Sequence, residues 1–121
     1  MVAADQPDDP PASELKHLLA VRTERFATEQ AVELLRQAIK LGRSDQIAAG
    51  VNAAIESVHH LAHLAAAPPD DTTSARLRAQ VHECQNSFQR AHLQGDTDGV
   101  IGRGELVGDA VMNYAIHLTN L

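Results

Sequence analysis

Apolar residues in this chain recur at helical rather than strand spacing. Leu15, Leu18, Leu19 and Phe26 form one stripe, and Ala31, Leu34, Leu35, Ala38 and Leu41 form a second. At about 100° per residue the second stripe points nearly opposite to the first, so one straight helix could not bury both against the same neighbours. The pattern therefore predicts two helices, over 13–27 and 28–41. Ser13 is the expected cap of the first, and Thr28, followed by Glu29, that of the second. No Gly or Pro separates the stripes, so one continuous helix is the alternative.

The remaining boundaries are better marked. Gly42 stands where a helix C-cap glycine belongs, and Ser44 is placed to cap the next helix. That helix should run to about Ala67, where Pro68-Pro69 ends it, and should bury Ile47, Val51, Ala54, Ile55, Val58, Ala62 and Ala65. Asp70-Asp71-Thr72 starts another, burying Leu77, Val81, Cys84, Phe88 and Ala91 and stopping before Gly95. A last helix from about Arg103 buries Val107, Ala110, Val111, Tyr114, Leu118 and Leu121. No strand alternation or internal repeat interrupts this pattern. The short links at 42–43 and 68–71 favour antiparallel neighbours. The expected fold is an all-α antiparallel bundle of four to five helices over 13–121, preceded by an acidic, Pro-rich leader over 1–12.

Composition narrows the function classes. The chain has 121 residues, two Phe, one Tyr and no Trp, so its core must be built from aliphatic side chains and alanine. A net charge of −6 with scattered basic residues argues against nucleic acid and anionic membranes as partners. The leader lacks the apolar segment of a signal peptide, and no run has the length of a membrane span, so a cytoplasmic location is the expectation. Cys84 is the only cysteine and reads as a small buried hydrophobe rather than a reactive thiol.

Seven histidines raise the question of metal. In Glu56-Ser-Val-His59-His60-Leu-Ala-His63, His59 and His63 lie one turn apart and could share a transition metal, with Glu56 one turn before. A second pair, Glu14 and His17, together with Glu33 and Glu83, imitates the ligand inventory of a di-iron bundle. Those ligands must project inward, however, and Glu56, His60 and His63 fall almost opposite their helix's apolar stripe. A solvated histidine-rich face is the simpler account. No Ser–His–Asp or Cys–His constellation is present, so nothing nominates a catalytic nucleophile.

The segment QGDTDGVIGRGE at 94–105 resembles an EF-hand calcium loop over these twelve residues alone. Asp96 and Asp98 fall at positions three and five, Gly99 at six, Ile101 at eight and Glu105 at twelve. The resemblance implies a Ca²⁺ shell from Asp96, Asp98, the Val100 carbonyl and Glu105. Gln94 departs from the Asp usual at position one, and no second loop is visible for pairing. Asp-Thr-Asp-Gly is equally good turn chemistry, and Glu105 suits the start of a helix.

Leu106, Met112 and Ile116 widen the apolar surface of the last helix beyond its main stripe. Such a helix is either central in the bundle or part of an interface. The sequence thus points to a small acidic interaction or regulatory protein that self-associates and binds another protein. A single-loop calcium module and a metal-binding bundle are the alternatives.

Overall fold

The computed structural model describes residues 12–121, which form four helices and no strand. They are α1 (Ala12–Leu41), α2 (Ser44–Ala65), α3 (Thr72–Leu93) and α4 (Thr97–Leu118). The all-α antiparallel bundle expected from the spacing is the observed fold. The leader expected over 1–12 lies outside the described residues, apart from Ala12.

The chain does not break at Thr28. This residue is inside α1 and fully buried, and its hydroxyl lies 2.9 Å from the Glu24 carbonyl and 2.8 Å from Ser57 Oγ of α2. A polar side chain that finds its partners within the helix and across the packing has no reason to cap a new one. The two stripes do face opposite ways, but only one side of α1 packs. Val32, Leu35 and Ala38 are buried, whereas Leu34 and Leu41 are 64% and 63% exposed. Ser13 likewise lies within α1 rather than capping it.

Helix ends follow local chemistry where a cap is available. Gly42 has φ 67°, and its N–H donates to the Ala38 and Ile39 carbonyls, closing α1 as expected. Arg43, not Ser44, is the N-cap residue of α2, and it makes no side-chain capping bond. Asp71 caps α3, its Oδ1 accepting from Ser74 N at 3.1 Å. The last helix starts at Thr97, six residues before the expected Arg103, because Asp96 caps it by accepting from Gly99 N at 3.0 Å.

Cross-helix pairs fix the topology. Thr28 meets Ser57 and Glu24 meets His60, so α1 and α2 are antiparallel. Arg25 bonds Thr119 and Arg36 lies 3.5 Å from Asp109, so α4 also runs opposite to α1. His117 meets Asp71 and Arg103 meets Ser87, which makes α3 antiparallel to α4. The result is an up-down-up-down bundle. α1 packs on α2 and α4 but not on α3, and α2 and α3 barely touch. α4 is the central element, in contact with all three others.

Close approach is built on small residues. A Cβ at Gly50 of α2 would lie 3.0 Å from Leu35 Cα and 3.2 Å from Leu35 Cβ, so α1 and α2 meet there backbone to backbone. Gly108 of α4 faces the same side chain with more room, its added Cβ 3.7 Å from Leu35 Cδ2. Leu35, fully buried, is thus seated between two glycines of two different helices.

Candidate functional site

Two surfaces are distinctive, and the first is the outward face of α1. At about 1.5 Å per residue this 30-residue helix is ~45 Å long, and the three 22-residue helices are ~33 Å. Since Thr28 lies opposite Ser57 and Glu24 opposite His60, α2 ends beside residue 20 of α1. Residues 12–19 run past it and are exposed on all sides. Leu15, Leu19 and Phe26 lie within about 40° of one another around the axis, opposite the buried Leu35. They are 49%, 63% and 61% exposed, and Leu18 beside them is 56% exposed. The stripe expected in the core is therefore on the surface. Nothing in the spacing alone distinguishes a stripe facing a core from one facing outward.

Where α1 rejoins the bundle, a polar network anchors it. Ser57 Oγ donates to Glu24 Oε2 at 2.9 Å, and His60 Nδ1 lies 3.0 Å from Glu24 Oε1. The single Ser57 proton is committed to the carboxylate, so the Thr28 hydroxyl donates either to Ser57 Oγ or to the Glu24 carbonyl. Each buried hydroxyl is satisfied, which fixes the rotation of α1 on α2 and so keeps the apolar stripe outward.

The second surface is a groove of about 820 Å³ where α2 and α3 splay apart. His59 and His63 line it from α2, Arg78 and His82 from α3, and Tyr114 of α4 forms its floor. The His59 and His82 rings are 5.2 Å apart between centroids, tilted by 37°. Burial pushes the His59 imidazole below its usual pKa, and the nearby His82 and Arg78 add to the effect. His59 Nε2 is covered and has no hydrogen-bond partner among the described residues. Sequence spacing paired His59 with His63 and Glu56. The structure instead brings His82 to His59, and Glu56 is exposed. Among the described residues no group of three or more His, Cys, Asp or Glu side chains is arranged to hold a metal ion.

At the groove's edge Asp71 links two helices. Besides capping α3, its Oδ2 accepts from Ser74 Oγ at 2.8 Å and pairs with His117 Nε2 at 2.9 Å. The His117 bond, with those from Ser74, lowers the Asp71 carboxyl from 3.8 to about 2. A depressed folded-state value means that the carboxylate favours the folded chain. Its contribution is complete above about pH 4 and is lost as pH falls towards 2. In thermal melts from pH 7 to pH 2, Asp71→Asn should melt lower at pH 7 and show a shallower acid decline than the wild type. Parallel acid declines would remove Asp71 from the account.

The EF-hand-like segment adopts a different local structure from the one its resemblance implies. Gln94 is the C-cap of α3, Gly95 takes φ 68°, and Thr97 onward is α4. The sharp turn is thus at Gly95, and Gly99 is helical. Asp98 and Glu105 lie seven residues apart on one helix, about 10 Å along its axis, too far to share one cation. Asp96 is occupied as a cap, and Val100 is buried at 2% exposure. This early helix start wins because Val100 joins the core and Asp96 satisfies the first-turn amides.

On α4, Met112 is partly buried against the core, while Leu106 and Ile116 are 56% and 43% exposed. Of the three residues that widen the apolar surface of this helix, only Met112 packs against the core, and Leu106 and Ile116 remain on the surface. Cys84 packs partly against the core, and burial raises its thiol pKa, with Glu83 and Asp109 adding to the rise. No helix is long and apolar enough to cross a membrane among the described residues. No family model, no curated protein and no solved structure matches this chain.

Proposed function

We propose that this protein is a helical interaction module that pairs with a second copy of itself through the outward face of α1. The observation that carries this reading is the exposure of Leu15, Leu18, Leu19 and Phe26 on the helix that overruns the bundle. Single exposed leucines need no explanation, but four large apolar side chains within four turns, with Arg22 among them, make an unusual surface patch. A patch confined to one helix is self-complementary in antiparallel pairing about a twofold axis near Leu19 and Arg22. Leu15 of one chain then lies against Phe26 of the partner subunit, and the reverse.

Magnitudes place such a dimer in a weak range. Covering the exposed part of each side chain contributes about 1–1.5 kcal/mol, or ~8–12 kcal/mol for the eight in a dimer. Association costs ~4–15 kcal/mol, so a reversible dimer forming at micromolar or higher concentration is expected. The twofold arrangement is tested with Arg22→Cys in a Cys84→Ser background, which leaves all four apolar residues in place. Mild oxidation should link the chains across the axis in proportion to concentration. Gln80→Cys on α3, also at an exposed position, should not link. Equal linking at both positions would reject the assigned face.

A further inference from the structure

The groove between α2 and α3 has a charge character unlike that of the whole chain. The protein carries −6, yet the groups facing this groove are His59 and His63 from α2, Arg78 and His82 from α3, and Tyr114 from α4, with His117 of α4 paired to Asp71 at its edge. The one carboxylate there, Asp71, is committed. Its Oδ1 accepts from Ser74 N, and its Oδ2 is shared between Ser74 Oγ and His117. Arg78 has no carboxylate within ion-pairing distance among the described residues. A guanidinium with no carboxylate partner among the described residues, lining the same groove as the paired His59 and His82 rings, is an arrangement complementary to an anion.

The lining also has apolar parts. Ala62, beside His59 and His63 on α2, and Ala67 and Pro68 after it add apolar surface to the groove, and the phenol of Tyr114 makes no hydrogen bond to any described residue. A volume of about 820 Å³ lies within the range of sites that take small molecules. We propose that this groove binds a small organic anion, its carboxylate-like head between Arg78 and the His59–His82 pair and its apolar body on Ala62, Ala67 and Pro68. The Tyr114 hydroxyl supplies a further donor from the floor. The site is independent of the α1 face, so either reading can fail without the other.

Binding should depend on pH in a defined sense. A bound anion favours the protonated imidazoles, so affinity rises as pH falls through the histidine range. The lowered value at His59 follows first from burial of its ring and then from the nearby His82 and Arg78, and a bound anion would offset the part that those two neighbours contribute. Asp71 keeps its charge throughout this range and so contributes a constant background.

The test is an amide-resolved NMR titration with benzoate, benzyl alcohol and acetate, at about pH 7.5 and about pH 6. Benzoate keeps its charge at both values, so any pH effect belongs to the protein. Benzoate should shift the Ser74, Ala75, Arg78 and His82 amides saturably, and more tightly at the lower pH. Acetate lacks the body and benzyl alcohol lacks the charge, so each should bind more weakly. Arg78→Gln, at an exposed position, should weaken benzoate about tenfold, as expected for loss of one charge-assisted contact. Absence of saturable shifts in the groove, or equal affinity in Arg78→Gln, would overturn the anion site. Equal binding of acetate would overturn the assignment of an apolar body.

Discussion

Leu35→Ala is expected to lower the unfolding free energy by about 3–4 kcal/mol, a large part of the 5–15 typical of such a domain. Leu35 is fully buried, and it is held by Gly50 of α2 and Gly108 of α4. Neither glycine has a side chain that could move into the space left behind, so the cavity should persist and the cost fall in the upper part of its range. Urea denaturation measures it, with the midpoint falling and the slope unchanged. Leu34→Ala is the informative comparison. The two neighbours share one apolar run in the sequence, yet Leu34 is 64% exposed and should change stability by no more than about 0.5 kcal/mol. Equal effects at the two positions would mean that α1 is rotated about its axis relative to the packing described.

Gly50→Leu should be comparably damaging, at roughly 3 kcal/mol, for the opposite reason. Even a Cβ at this position approaches the Leu35 backbone to 3.0 Å, so a larger side chain must push α1 and α2 apart. Gly108→Ala separates this crowding from any intolerance to losing a helical glycine. Its Cβ would be in ordinary contact with Leu35 and Val32, both at 3.7 Å, and the gain in helix propensity is up to about 1 kcal/mol. Gly108→Ala should therefore be neutral or stabilising in the same urea assay. If Gly50→Leu were also neutral, the close backbone approach of α1 and α2 would be wrong.

The two helices with narrow stripes and clear punctuation were legible from the residues. In α2 the buried Ile47, Val51, Ala54, Ile55 and Val58 follow directly from spacing between Gly42 and the Pro68-Pro69 stop. In α3 the Asp71 cap and the buried Leu77, Val81 and Phe88 do likewise. α1 is less legible because reading a core from an apolar stripe assumes that the stripe is buried. That assumption is sound for a helix covered by neighbours, and it fails where residues 12–19 outrun them and where, as at Phe26, only the opposite side of α1 packs. The start of α4 was obscured by Gly95, Gly99 and Gly102, which lower helix propensity and read as a loop. Burial of Val100 and the Asp96 cap override that local preference.

The groove was only half visible. His59 and His63 stand out by their one-turn spacing, but their partners come from elsewhere. Arg78 and His82 lie one turn apart on α3 and Tyr114 on α4, and only the splay between α2 and α3 brings them to His59. One signal could have indicated part of it. Arg78 and His82 are both basic, with no acidic residue at the i±3 or i±4 positions of Arg78, so its charge must find a partner outside its own helix or remain free.

The central claim is that the outward face of α1 joins two copies of the chain. Sedimentation velocity over a concentration series from about 1 μM to about 500 μM tests it most directly, a span chosen to bracket the weak affinity expected. Wild type should pass from monomer to dimer across the series, and Ile116→Glu on α4 should follow it. Leu19→Glu and Phe26→Glu, both at exposed positions that leave the core intact, should remain monomeric throughout. A wild type monomeric at the highest concentration, or α1 variants that dimerise as it does, would contradict the account.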